Sequence, residues 1–134
     1  MAVNKAYSTY QANSITTSKP EELTLMLYNG LMRFVMQAQK SIETQDMAKA
    51  HDDIVRAEDI LLELQSTLDM QYEISHNLFQ LYDYLYRRLV DANVKKDPEI
   101  LKEVLRFATE LRDTWTQAMK LAKEQSAAQH NVNE

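Results

Sequence analysis

The 134-residue sequence contains no cysteine, one glycine and two prolines. Without cysteine there are no disulfides and no thiolate metal sites. The scarcity of glycine and proline leaves few of the tight turns that β-sheets need. The residues after Met1 show no signal-peptide pattern, and no apolar run approaches the length that crosses a membrane. We therefore expect a soluble, cytoplasmic protein without membrane insertion.

The charge balance argues against one class of partners. The chain carries 15 basic and 20 acidic residues, which gives a formal net charge of -5. Nucleic-acid binding needs a basic patch that neutralises phosphates, so no nucleic-acid partner is expected. The abundant residues, Ala, Leu, Glu, Lys, Gln and Met, favour helices. With 45% hydrophobic residues to form a core, the composition predicts an all-α domain.

The N-terminal segment differs in composition from the rest of the chain. Residues 1–17 are mostly small and polar, and neither helical nor strand periodicity persists there, which predicts a mobile N-terminal arm. Its apolar residues are Tyr7, Tyr10 and Ile15. Ser18, Pro20 and Glu21 then supply a hydroxyl N-cap, a first-turn proline and a carboxylate three residues after the cap. The first helix is predicted to begin there.

Four segments place apolar residues at steps of three and four, the spacing of helices in a bundle. The first helix runs to about Glu43, Asp46 caps the second, the third covers about Tyr72 to Asn93, and Asp97 caps the fourth. The predicted core positions are Leu23, Leu27, Leu31, Phe34, Ala38, Ile42, Met47, Ala50, Ile54, Ala57, Leu61, Leu64, Leu68, Ile74, Leu78, Leu81, Tyr82, Leu85, Leu89, Ala92, Leu101, Val104, Ala108, Leu111, Trp115, Ala118 and Ala122. Short connections favour antiparallel neighbours, which predicts an up-down-up-down four-helix bundle over residues 18–124. Residues 125–134 lose the stripe and are predicted to fray.

The first and third helices carry more apolar surface than one core can bury. A second stripe on the third helix, a quarter-turn or more from the core stripe, contains Tyr72, Phe79, Tyr86 and Val90. A set nearly opposite the core stripe of the first helix contains Leu25, Met32 and Met36, with Tyr28 at its margin. Methionine adapts to irregular partners and is favoured on surfaces that bind helical peptides. Scattered surface hydrophobes and a homodimer interface of the free protein stay open as alternatives.

The sequence gives little support to an enzymatic or metal site. Glu73 and His76 form a Glu-x-x-His unit, but di-iron bundles need two such units, and neither His51 nor His130 has a glutamate three residues before it. His51 and His76 could serve phosphotransfer, although a surface position explains them more simply. Gly30, the only glycine, rules out a glycine-rich phosphate loop. We expect neither catalysis nor a cofactor.

A series of short motifs runs along nearly the whole chain. They are Ala6-Tyr7, Tyr10-Gln11, Ser14-Ile15, Pro20-Glu21-Glu22-Leu23, Met26-Leu27-Tyr28-Asn29-Gly30, Leu81-Tyr82-Asp83-Tyr84-Leu85-Tyr86-Arg87-Arg88-Leu89-Val90-Asp91-Ala92-Asn93, Asp97 and Arg112-Asp113-Thr114-Trp115. In this order the motifs resemble the flagellin-specific export chaperones, the FliS family. The resemblance extends to about Lys123.

The resemblance implies a cytosolic chaperone that binds the disordered C-terminal segment of flagellin and prevents its premature polymerisation. It also implies delivery of flagellin to the cytosolic domain of the flagellar type III export gate, without nucleotide or metal. The two apolar sets then become candidate flagellin-binding residues, namely Leu25, Met32, Met36, Tyr72, Phe79, Tyr86 and Val90. Tyr7, Tyr10 and Ile15 become candidates for covering the binding groove or docking at the gate. A self-associating helical scaffold or signalling bundle remains the alternative.

Overall fold

The computed structural model describes residues 20–133, with side chains described up to residue 129. Over this range the chain forms four helices and no strand: α1 (Pro20–Glu43), α2 (Met47–Ser66), α3 (Glu73–Lys95) and α4 (Pro98–Asn133). The predicted all-α class is confirmed. None of the helices in the described range is long and apolar enough to span a membrane. The predicted arm, with Tyr7, Tyr10 and Ile15, and the predicted cap Ser18 lie outside the described residues.

Hydrogen bonds confirm that two of the helices begin where the sequence predicted, directly after Asp46 and Asp97. The carboxylate of Asp46 accepts a hydrogen bond of 3.1 Å from the backbone N–H of Lys49 in the first turn of α2. Asp97 accepts one of 2.9 Å from the backbone N–H of Glu99, and Pro98 is the first residue of α4. Each side chain thus satisfies a donor that the helix itself leaves unpaired.

Each helix of the bundle packs against two neighbours. α1 lies between α2 and α4, and α3 also lies between α2 and α4. The indole Nε1 of Trp115 donates a hydrogen bond of 2.9 Å to the carbonyl oxygen of Glu21, so the start of α1 lies beside the middle of α4. Sequential helices joined by short connections run antiparallel in such an arrangement. The predicted four-helix bundle is confirmed.

Buried side chains from all four helices form one hydrophobic core. Most predicted core positions are buried or packed against it, and the core also takes in Val35, Ile60 and Ile100, which the sequence analysis did not assign. Four predicted core residues are exposed instead: Met47, Ile74, Ala118 and Ala122. The first two lie in the first turns of α2 and α3, at the ends of the bundle. The two alanines follow Trp115, which is already level with the first turn of α1.

Tyr28 was predicted at the margin of the surface set on α1, and this prediction is wrong. Its side chain is 3% exposed, and its hydroxyl lies 2.5 Å from the buried hydroxyl of Tyr82 on α3. Burial raises the pKa of both phenols, so both hydroxyls are neutral at physiological pH. The hydrogen bond joins the two helices that lie diagonally across the bundle.

Gly30 marks a close approach between α1 and α2. Glycine inside a helix costs about 1 kcal/mol relative to alanine, which predicts a neighbour too close for a side chain. A Cβ atom built on Gly30 would lie 3.0 Å from Cδ1 of Ile60. The side chain of Ile60 on α2 therefore fills the space next to Gly30.

The end of α4 differs in part from the sequence prediction. Fraying was predicted from residue 125 onward, whereas the helix continues to Asn133. The loss of the apolar stripe agrees with the structure, because every described side chain from 120 to 129 is exposed. The division into an arm, a bundle of residues 18–124 and a tail stays a prediction.

Candidate binding surfaces on the bundle

The second stripe of α3 lies along its border with α2. Steps of seven, four and three residues place on one side of α3 the residues Phe79, Tyr86, Val90 and Asn93. At one end of this stripe, Nε2 of Gln65 donates a hydrogen bond of 3.4 Å to the carbonyl oxygen of Phe79. At the other end, the side-chain nitrogen Nδ2 of Asn93 lies 2.8 Å from Nδ1 of His51. Both partners belong to α2, so this stripe faces the α2 side of the bundle.

A matching stripe runs along α2. Steps of four and three connect its members, which are His51, Val55, Glu58, Leu62 and Gln65. Leu62 is 48% exposed, while Phe79 and Val90 on α3 are 41% and 39% exposed. Val55 and Tyr86 are half-buried. We call this row the α2–α3 surface and define it as Val55, Glu58, Leu62, Phe79, Tyr86 and Val90.

Glu58 and Tyr86 lie at the centre of the α2–α3 surface. Glu58 is seven residues from both His51 and Gln65, and Tyr86 is seven residues from both Phe79 and Asn93. Because the two hydrogen-bonded pairs fix the antiparallel register, the two residues stand at the same level. Burial raises the pKa of the Glu58 carboxyl, the neighbouring Asp59 raises it further, and His51 lowers it. Among the described residues, neither Glu58 nor Tyr86 has a hydrogen-bond partner for its side chain.

The predicted set on α1 lies on a different edge of the bundle. Steps of four, seven and four connect Glu21, Leu25, Met32 and Met36. The carbonyl of Glu21 accepts its hydrogen bond from α4, so this stripe lies on the α4 side of α1. Leu25 is half-buried, Met32 packs partly against the core, and Met36 is 47% exposed.

The predicted site residues therefore form two surfaces rather than one. The α1–α4 edge and the α2–α3 edge lie on opposite sides of a bundle in which α1 and α3 are diagonal. Tyr72 belongs with the second edge, since it is the exposed N-cap residue of α3 and lies seven residues before Phe79. With the exposed Met70 it continues the apolar row into the connection between α2 and α3.

Three apolar contributors to the second edge were missed by the sequence analysis: Val55, Leu62 and Met70. On this side of α2, Glu58 stands between Val55 and Leu62 and interrupts the apolar row. Their spacing of seven residues was the available signal, because it parallels the core stripe of the same helix.

The histidines singled out by the sequence contact their own bundle. Nε2 of His76 lies 3.0 Å from the carbonyl oxygen of Met70, across the connection that precedes α3. His51 is the neighbour of Asn93 described above. Among the side chains of residues 20–129, no three histidine, aspartate or glutamate groups lie together in a way that could hold a metal ion.

Comparison with known proteins identifies the family. A family model described as "Flagellar protein FliS" matches residues 3–122. The chain belongs to the FliS family. The flagellar secretion chaperone FliS of Bacillus subtilis (strain 168) is 44% identical over 120 residues, which cover 90% of each chain. The FliS proteins of Salmonella typhimurium and Vibrio cholerae are 30% and 28% identical and cover 84% of this chain, over 87% and 85% of their own lengths.

The densest motif of the FliS resemblance, residues 81–93, uses three sides of α3. One side enters the core and a second forms half of the α2–α3 surface. On the third, Nε of Arg88 donates a hydrogen bond of 2.8 Å to Glu103 of α4, and the hydroxyl of Tyr84 donates to the same carboxylate. The Arg88 contact holds the pKa of the Glu103 carboxyl below its ordinary value. The side that carries the α2–α3 surface has no covering helix among the described residues.

Proposed function

We propose that this chain is a cytoplasmic export chaperone that binds the C-terminal segment of flagellin and delivers it to the flagellar type III export gate. Membership of the FliS family supports the general role, because the relatives above are named flagellar secretion chaperones. The α2–α3 surface is the observation that carries the proposal. It exposes apolar side chains on a bundle whose core is already filled, so those side chains are available to a partner.

The chemistry of such a surface fits a segment that folds when it binds. Two antiparallel helices present a shallow apolar channel into which the apolar face of a third helix can pack. A disordered segment pays an ordering cost on binding, and apolar burial along a long contact offsets that cost. While bound, the same apolar face is not free to associate with other flagellin copies. Binding of this kind requires neither nucleotide nor metal.

The register of the surface sets the length of the segment that it accepts. His51 and Gln65 bound the surface and are separated by four helical turns, or about 21 Å at 1.5 Å per residue. The matching client helix is therefore about 14 residues long. We further propose that Leu25, Met32 and Met36 form a second contact for the same client. Because they lie on the opposite edge of the bundle, the client must wrap around one side to reach both.

The N-terminal residues enter the proposal through the family resemblance. We propose that Tyr7, Tyr10 and Ile15 cover part of the client surface in the free protein or help the loaded chaperone to dock at the export gate. Both roles concern residues outside the described range, so they rest on the matched motifs alone. Removing residues 1–17 separates the roles, because covering affects client affinity whereas docking affects export.

The test compares two matched substitutions on α3. Phe79→Glu places a charge on the α2–α3 surface, whereas Ile74→Glu makes the same kind of change at an exposed residue in the first turn of the same helix, outside that surface. We expect Phe79→Glu to weaken binding of a flagellin C-terminal peptide at least tenfold in calorimetry, and Ile74→Glu to leave it near the parent value. Both variants should melt within a few degrees of the parent. The free peptide should gain helicity on binding the parent protein, as measured by circular dichroism.

The self-association alternative predicts a different result. It requires the free protein to be a dimer that Phe79→Glu converts to a monomer, with no stoichiometric peptide complex. Sedimentation of the parent and both variants, with and without peptide, separates the two functions. Unchanged peptide binding by Phe79→Glu would remove the α2–α3 surface from the proposed site.

A further inference from the structure

The centre of the α2–α3 surface is polar although its surroundings are apolar. Glu58 and Tyr86 stand at the same level, with Leu62 and Phe79 toward one end and Val55 and Val90 toward the other. Neither polar side chain is hydrogen-bonded to a described residue. The two groups also do not bond to each other, although both belong to the row that faces outward between the two helices.

No described cation of the chain itself satisfies Glu58. Arg56, two residues before Glu58 on α2, places its guanidinium over the ring of Phe34 on α1, 5.5 Å from the ring centroid. His51 lies seven residues from Glu58, at one end of the surface, and contacts Asn93. Arg87 on α3 is paired with Asp83 at 3.2 Å. Asp59, the next residue to Glu58, adds negative potential, so a donor or a cation is favoured at this point and another acid is disfavoured.

A helix packed over this surface would remove water from the Glu58 carboxylate. A desolvated charge without a partner is unfavourable, so this desolvation penalty would weaken the binding of a wholly apolar helix face. A helix that places an N–H donor opposite Glu58 would replace the lost water with a charge-assisted hydrogen bond. The surface therefore discriminates between a wholly apolar client helix and one that carries a donor, by the difference between their binding free energies.

We infer that Glu58, together with the hydroxyl of Tyr86, selects a client helix that carries one N–H donor side chain in the middle of its apolar face. Lysine, arginine, asparagine and glutamine supply that donor. The inference rests on the proposed function, since it specifies which helix the α2–α3 surface accepts. Glu58 is a specificity residue in this scheme, while the neighbouring apolar side chains provide the bulk of the contact.

The experiment is a set of double-mutant cycles between the protein and a flagellin C-terminal peptide. In the peptide, each lysine, arginine, asparagine and glutamine is replaced one at a time by leucine. The protein is studied as the parent, as Glu58→Leu and as Glu58→Gln, with Asp52→Leu as a matched acid-to-leucine control at an exposed position of α2. Dissociation constants are measured for every combination, and thermal melts verify that each protein variant is folded.

We expect one donor position of the peptide to couple with Glu58. Replacing that donor should weaken binding to the parent and to Asp52→Leu at least fivefold, and should cost little or nothing with Glu58→Leu. Glu58→Gln should fall between, because its amide oxygen still accepts a hydrogen bond but carries no charge. Identical ranking of all peptides by the parent and Glu58→Leu would overturn the inference.

The outcomes also separate this inference from the proposed function. If Phe79→Glu abolishes peptide binding and no peptide position couples with Glu58, the site stands and the selectivity assigned to Glu58 is wrong. If the parent does not bind the peptide, or Phe79→Glu binds it unchanged, the proposed site falls and the inference falls with it.

Discussion

The hydroxyl pair of Tyr28 and Tyr82 offers a direct test of how the bundle is held together across its diagonal. Both side chains are buried, and their oxygens are 2.5 Å apart. Tyr28→Phe or Tyr82→Phe removes this hydrogen bond and leaves the other hydroxyl buried without its partner. An unsatisfied buried hydroxyl costs about 1–3 kcal/mol, so each single variant should lose about that much stability.

The double variant distinguishes this hydrogen bond from ordinary packing. When both hydroxyls are absent, no polar group is left unpaired, and the loss should be close to that of one single variant. The double-mutant cycle should therefore give a coupling energy of about 1–3 kcal/mol, in favour of having both hydroxyls or neither. Urea unfolding of the parent, the two single variants and the double variant measures all four free energies. Additive losses would show that the hydroxyls act independently and refute the pairing.

The same pair predicts how stability changes at alkaline pH. Tyrosine in the unfolded chain ionises near pH 10, whereas burial raises both pKa values in the folded protein. The unfolded state therefore loses protons first, and the free energy of unfolding should fall as the pH rises above about 10. In the double phenylalanine variant this decline should be shallower than in the parent. An equal decline in both proteins would mean that other groups cause it.

Other predictions use the core, the helix contact and the N-terminal residues. Leu61→Ala should cost about 2–5 kcal/mol of stability in urea unfolding because Leu61 is fully buried. Leu111→Ala should cost less because that side chain is only half-buried. Equal stability of the parent and Leu61→Ala would contradict the core assignment. The free energy of unfolding of Gly30→Ala should stay within about 1 kcal/mol of the parent value, because the gain in helix propensity offsets the cost of shifting the Ile60 side chain. A larger loss of stability would mean that this side chain cannot move. Removal of residues 1–17 should leave the melting temperature nearly unchanged and the affinity for flagellin peptide equal or higher, while export in cells falls; weaker peptide binding would instead place these residues in the client site.

Much of the bundle was predictable because its signals are local. Asp46 and Asp97 could be recognised as caps from the residues that follow them, and the core stripes follow from a periodicity of three and four. The sequence analysis placed Tyr28 at the margin of a surface, although its side chain is buried. Whether that side of α1 is buried or exposed depends on which helix packs against it. That depends on contacts between α1 and α3, which are distant in sequence, and no local pattern specifies them.

The candidate surfaces show the same limit more clearly. The stripes on α1 and α3 could be found as surplus apolar surface, but their separation onto opposite edges follows from the order of the helices around the bundle. The α2 half of the α2–α3 surface was missed because Glu58 interrupts the apolar row between Val55 and Leu62. A charged residue in an exposed helix is normally a sign of solvent, and only the register with α3 shows its apolar setting.

Trp115 gives the protein an intrinsic optical reporter at one defined place. It is the only tryptophan of the chain, and its indole N–H is hydrogen-bonded to the first turn of α1, directly after residues 1–19. Loosening of that turn would expose the ring to water and shift its emission to longer wavelength, whereas changes at the turn between α1 and α2 would leave it unaffected. Since the sequence also has no cysteine, one introduced cysteine can carry an energy-transfer acceptor at a chosen position. The rate at which the N-terminal junction responds to a bound peptide can then be measured in a stopped-flow fluorimeter without modifying the junction itself.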